Sequence, residues 1–141
     1  MEVSLKVIIE EDLSLLQVLL ERSSDYLIFQ DEEEVKPSAA WDLFNIKPDE
    51  VEVNNKVLLG ILSDQKQLVG VFDLIKGYPE PKTLTLGLML LEPSSRRKGI
   101  GTKAYTVLEE WVVSQQFNKV RLGVLFDNEN GLSFWKKYGL Y

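Results

Sequence analysis

Apolar positions recur along this chain with two different periods, and the switches between those periods outline the elements. Val3–Ile9 and Lys56–Leu62 read as strands, as do Gln67–Ile75 and Thr83–Leu91, while Lys119–Phe126 alternates Val120, Leu122, Val124 and Phe126. Leu13, Leu16 and Leu20 recur at helical spacing behind Asp12, a residue type that favours a helix start. Ile100, Ala104, Val107, Leu108 and Trp111 form a second helical stripe over Ile100–Gln115. A short helix bearing Trp41 and Phe44 is expected after Pro37-Ser38, and a last one from about Asn128 to Tyr138, with Gly139 as its stop.

Ser63-Asp64-Gln65-Lys66 is turn-like and predicts a hairpin between the second and third strands. In Thr83–Leu91, simple alternation sends Leu84, Leu86, Leu88 and Leu90 to one face, and Thr85, Gly87, Met89 and Leu91 to the other. Both faces are largely apolar, which predicts a central strand covered on both sides. A strand, a helix and a further strand then imply one parallel crossover. The expected class is α+β: a mixed, mostly antiparallel sheet with one parallel β-α-β unit, flanked by helices. No internal repeat or linker interrupts residues 1–141, so they read as one domain.

Composition narrows the chemistry. Cys and His are both absent, which removes thiol nucleophiles, Ser-His triads and most transition-metal sites; no metal is expected. The net charge of −6 argues against a nucleic-acid partner. It divides unevenly, with 14 acids and 4 bases in residues 1–52 but 8 acids and 12 bases in residues 53–141. No apolar run approaches the roughly 20 residues of a membrane span, and the N-terminus does not resemble a secretion signal, so no membrane partner and a cytoplasmic location are expected.

The basic half holds the most informative stretch, Arg96-Arg97-Lys98-Gly99-Ile100-Gly101-Thr102. A strand runs into it and a helix starts within it. Glycines allow close approach of the backbone to a ligand, and the first helical turn offers unpaired N–H groups at the positive end of the helix dipole. A polyphosphate ligand is the expectation. A dinucleotide fingerprint is met only in part by Gly99, Gly101 and Ala104. Here the first glycine lies well beyond Leu91, where a tight turn is required.

These residues resemble the GNAT superfamily of acyl-CoA-dependent N-acetyltransferases. Arg96-Arg97-Lys98-Gly99-Ile100-Gly101 meets its Arg/Gln-x-x-Gly-x-Gly/Ala signature. Asn128-Glu129-Asn130-Gly131-Leu132-Ser133-Phe134-Trp135-Lys136-Lys137-Tyr138-Gly139-Leu140 meets a second one in part. Trp135 stands where many relatives carry a Tyr acid, and relatives usually continue through one or two strands beyond the position of Tyr141. A second copy of the chain, as a homodimer, or an absent tail would then cover the last strand.

The resemblance implies acetyl-CoA as donor and residues 1–52 as the acceptor side, with residues 55–141 holding the donor. Amides of Arg97, Lys98, Gly99, Ile100, Gly101 and Thr102 would hold the diphosphate, with the side chains of Arg96, Arg97 and Lys98 nearby. Backbone groups of Met89, Leu90 and Leu91 would pair with the amide-bearing arm, the Met89 N–H pointing at the thioester oxygen. Asn128 would bond the arm from the opposite wall, and Trp135 would line the slot near the sulfur. Tyr138 would offer a proton. Asp73, on an apolar strand, is the candidate base, with Glu80 and Glu92 as alternatives; Tyr26, Phe29, Trp41 and Phe44 would wall an acceptor pocket. The implied reaction is transfer to the primary amine of a small molecule or peptide, and the acidic first third suggests a cationic one. The alternative is an acyl-CoA-binding module of the same fold without transfer.

Overall fold

In a computed structural model of the chain, residues 2–23, 36–45, 47, 51–78, 80–96 and 99–122 are described. They form β1 (Ser4–Val7), α1 (Leu13–Arg22), α2 (Ala39–Asn45), β2 (Lys56–Leu62), β3 (Leu68–Lys76), β4 (Thr83–Leu91), α3 (Ile100–Ser114) and β5 (Lys119–Leu122). The strands make one sheet in the order β1-β2-β3-β4-β5. The first four pair antiparallel, and β5 runs parallel to β4 after the α3 crossover. This is the expected mixed α+β class.

Each helix is placed by its apolar stripe. Ile100, Ala104, Tyr105, Leu108 and Val112 of α3 are buried, and most of that stripe packs with Leu59, Ile61, Phe72, Leu74, Leu84 and Leu86 on one face of the sheet. Leu16, Leu19 and Leu20 of α1 and Ala40 of α2 pack with Leu58, Val71, Leu88 and Leu90 on the other. Each large side chain sealed in this way contributes about 1.5–3 kcal/mol. Gln17 docks α2 onto α1: its side-chain carbonyl accepts from the Ala40 N–H at 2.9 Å, and its amide donates to the Lys36 carbonyl at 3.0 Å. Asp12 does not cap the turn that follows it; its carboxylate reaches back to accept from the Ile9 N–H at 3.0 Å and from Lys6.

Two β-bulges overturn the simple alternation expected from the sequence. Opposite Gly87 the register steps, so that Leu74 faces Leu86 while Asp73 faces Leu88. Leu84 and Leu86 therefore enter the α3-side core, whereas Leu88 and Leu90 enter the α1/α2-side core. Met89 and Leu91 pack toward α3. A second step at Val69, where Ile61 pairs with Gly70 and Leu62 with Leu68, sends Val69 to the α3 side and leaves Val71 opposite it. An inserted residue unpairs locally and reverses the facing of everything beyond it.

The sequence-predicted helix near 128–138 and the strand beyond Leu122 lie outside the described residues. No helix among the described residues is long and apolar enough to cross a membrane.

Candidate active site

The C-terminal end of β4, an internal strand, leads through residues 92–99 to the start of α3. After Leu91 the chain makes a 3-10 turn, Pro93–Ser95, closed by the Ser95 N–H donating to the Glu92 carbonyl at 3.0 Å. Glu92 is fully engaged there. Its carboxylate accepts from the hydroxyls of Ser94 and Ser95, both at 3.1 Å, and pairs with Arg22 at 2.9 Å. Arg22, in the last turn of α1, also donates to the Leu68 carbonyl at 3.1 Å. Glu92 thus ties α1 to the end of β4, which leaves it poorly placed to serve as a base. Glu80 sits in the turn before β4, where its carbonyl accepts from the Thr83 N–H at 2.9 Å.

Arg96 follows. Its Nε donates to the Leu91 carbonyl at 2.9 Å, so this side chain braces the end of the strand. Gly99 is the N-cap of α3 with φ 79° and ψ 0°, in the left-handed region that a side-chain-bearing residue adopts only at a cost. A Cβ added there would meet nothing within 4 Å, so the constraint is conformational. Among the described residues no side chain caps the start of the helix. The N–H groups of Ile100, Gly101 and Thr102 belong to the first turn, where intrahelical acceptors are lacking, while the Lys103 N–H already bonds the Gly99 carbonyl at 3.1 Å. Buried Ile100 and Ala104 fix this turn against the sheet. An uncapped, glycine-started helix end of 15 residues is chemically suited to a diphosphate.

Asp73 lies in mid-strand on the α1/α2 face. Its Oδ1 forms an ion pair with Lys56, whose side chain is only 5% exposed; that of Asp73 is 14% exposed. Burial pushes the Asp73 carboxyl above the ordinary carboxylate range, and the Lys56 charge and hydrogen bond draw it part of the way back. Its Oδ2 lies 3.6 Å from where a Cβ on Gly87 would stand, and Gly87 is exposed. Reasoning from the sequence missed both Lys56 and Gly87. The signal that finds them is the pair of bulges, which no local pattern announces.

Met89 and Leu91 are half-buried and Leu90 is buried. Trp41 is 53% exposed, and Phe44 packs against the α1/α2-side core. Arg97, Lys98, Asn128, Trp135, Tyr138, Tyr26 and Phe29 lie outside the described residues.

The sequence profile of the acetyltransferase (GNAT) family matches residues 16–140. The chain belongs to the GNAT family. Solved structures share the GNAT fold. An acetyltransferase from Thermus thermophilus superposes with a TM-score of 0.80 at 21% identity, covering 99% of this chain and 86% of that one. A PaiA N-acetyltransferase from Thermoplasma acidophilum, in complex with coenzyme A, gives 0.71 at 20% identity over 98% and 89%. An aminoglycoside acetyltransferase from an uncultured soil metagenomic sample, in complex with sisomicin, gives 0.65 at 17% identity over 96% and 86%. No curated protein matches the sequence. Acyl-CoA is the donor that this GNAT family uses, and the uncapped α3 terminus fits its diphosphate.

Proposed function

We propose that this GNAT protein transfers an acetyl group from acetyl-CoA directly to a primary amine. The observation that carries this reading is the left-handed, side-chain-free start of α3 at Gly99, which leaves first-turn amides available to a diphosphate. Gly99, Ile100, Gly101 and Thr102 would hold it, with Arg97 and Lys98 supplying charge and Arg96 bracing the Leu91 carbonyl. Bound acetyl-CoA supplies an activated thioester carbonyl. Backbone groups of Met89, Leu90 and Leu91 would align its arm, the Met89 N–H donating where negative charge develops on oxygen. Asn128 and Trp135 join the same wall by their place in the second family motif.

The amine needs a proton acceptor. A primary amine of pKa near 10.4 is protonated at neutral pH, and exposing its lone pair costs about 4 kcal/mol. Asp73, whose carboxyl is held above the usual range, takes that proton. A C–N bond forms, the C–S bond breaks, and the proton that nitrogen sheds as the amide forms passes through Tyr138 or water to the leaving thiolate. The leaving thiol resembles Cys, with pKa about 8.5, so Trp135 in place of a Tyr acid is tolerable. The acidic residues 1–52 favour a cationic acceptor. A cytoplasmic setting and a homodimer are part of the same reading.

Titration calorimetry with acetyl-CoA, followed by mass spectrometry on a panel of small amines, tests it. Binding accompanied by a 42-Da mass gain on an amine is expected, 42 Da being about the mass of an acetyl group replacing hydrogen. Binding without transfer to any amine would establish the non-catalytic acyl-CoA module instead. That second reading draws on Lys56, which already neutralises Asp73.

A further inference from the structure

Lys56 and Gly87 have no part in holding the donor, yet together they determine what Asp73 faces. Lys56 is buried and takes Oδ1. On the opposite side the bulge in β4 places a residue without a side chain. Apart from Gly87 and its two chain neighbours, the described atoms within 4 Å of the missing Cβ are two oxygens of Asp73, its Oδ2 at 3.6 Å and its backbone carbonyl at 3.9 Å. Oδ2 makes no hydrogen bond within the described residues.

A vacancy one side chain wide, flanked by a carboxylate oxygen and a carbonyl oxygen, is complementary to a donor. It opens at the surface because Gly87 is exposed. A primary ammonium has three N–H donors, and a small displacement from the Cβ position would bring it to hydrogen-bond distance of Oδ2. The vacancy stands four residues along β4 from Leu91, roughly 13 Å of strand from the end that Arg96 braces.

We infer that Lys56 is a positioning residue which pins Oδ1 so that Oδ2 faces the Gly87 vacancy, and that this vacancy receives the acceptor as a slender, unbranched primary amine. The inference rests on the amine-transfer reading above and adds a substrate class to it. Branching at the carbon bearing nitrogen needs room beyond the single Cβ position that Gly87 leaves open. In the reaction the N–H bond of the ammonium breaks and its proton moves to Oδ2; the freed lone pair forms a C–N bond with the thioester carbon, the C–S bond breaks, and the second proton that nitrogen sheds passes to the leaving thiolate.

The test uses the full chain, n-butylamine, sec-butylamine and acetyl-CoA. Wild type should acetylate n-butylamine at least tenfold more efficiently than sec-butylamine. Gly87→Ala should raise the KM for n-butylamine at least tenfold and leave the acetyl-CoA Kd within twofold. An Ala Cβ at 3.6 Å makes ordinary contact, so this variant retains its fold. Lys56→Met should lower kcat at least tenfold with little change in acetyl-CoA affinity, and Lys56→Arg should restore most of it. In protein without donor, n-butylammonium should shift the carboxyl carbon resonance of Asp73, and Gly87→Ala should suppress that shift.

Equal rates for the two amines, or an unchanged n-butylamine KM in Gly87→Ala, would overturn the inference while leaving amine transfer standing. Transfer to no amine, with the Asp73 resonance still shifting, would overturn the transfer reading and leave the ammonium site in place. No shift and no transfer would end both.

Discussion

The two faces of the sheet are made from similar residues and do different things. Beneath α3 the packing is apolar throughout, with Phe72, Leu74, Leu84 and Leu86 closed over by Ala104, Tyr105 and Leu108. Beneath α1 and α2 the packing is apolar around Val71, Leu88 and Leu90, but Lys56 and Asp73 lie on the same face of the strands. The first face secures the helix whose glycine-started N-terminus is suited to a diphosphate. The second places a partly desolvated carboxylate beside a vacancy. Stability and the proposed chemistry are thus divided between opposite sides of one sheet.

The largest way to break that contrast is to empty the α3 side. Phe72→Ala should cost about 3–5 kcal/mol, read as a lowered urea midpoint, because a fully buried aromatic leaves a cavity that close-packed neighbours fill only in part. If the loss were below about 1 kcal/mol, the α3 face would not be the stabilising one.

On the other face, Lys56→Met should cost about 3 kcal/mol by stranding Asp73, the low end for a broken buried pair because the carboxyl can take up a proton. Adding Asp73→Leu should recover most of that stability without recovering transfer. Recovery of both would place the chemistry elsewhere. The pH dependence has a definite sign. In the proposed mechanism Asp73 acts as a carboxylate, and its pKa is raised by burial, so the acid limb of the kcat/KM profile should lie above the ordinary carboxylate range. Lys56 is the charged group acting on it; β4 presents Gly87 and Leu88, and the side chains that α1 and α2 bury on this face of the sheet, Leu16, Leu19, Leu20 and Ala40, carry no charge. Removing the cation should move that limb further upward, and a downward move would contradict the assignment.

At the helix start the effect is smaller for folding than for binding. Gly99→Val should destabilise by about 1–2 kcal/mol, since a β-branched residue resists the left-handed region, and should weaken coenzyme A binding at least tenfold by calorimetry. Loss of stability with full affinity would separate the turn from the donor site.

The smallest effect lies at the other end of α3, where Gln116 holds φ 67° and the Phe117 N–H closes the helix onto the Val112 carbonyl at 3.2 Å. Gln116→Gly should stabilise by about 0.5 kcal/mol, the relief of left-handed strain exceeding the entropy that glycine loses. Thermal unfolding at neutral pH would detect it, and activity should not change.

Much of this was legible in the residues themselves. The helix stripes of α1 and α3, the strand runs, and the basic glycine loop between Leu91 and Ile100 all rest on local periodicity and on backbone rules that act over a few residues. The parallel crossover followed from a strand, a helix and a strand in succession. The facing of Leu88 and Leu90 did not, because one unpaired residue at Gly87 reverses everything after it.

The Lys56–Asp73 pair shows the limit most clearly. Continuing the Leu62–Leu68 pairing through β2 and β3 without a break would set Val57 opposite Asp73 and put Lys56 on the other face. The step at Val69 instead pairs Leu58 with Asp73, which brings Lys56 to the same side. Sequence alone determined which elements form and where phosphate chemistry is suited, since those depend on neighbours in the chain. Only the tertiary structure decided which carboxylate is held, by which cation, and toward which vacancy. Strand register is a long-range choice, and in a sheet with two-residue periodicity a shift of a single position exchanges the faces.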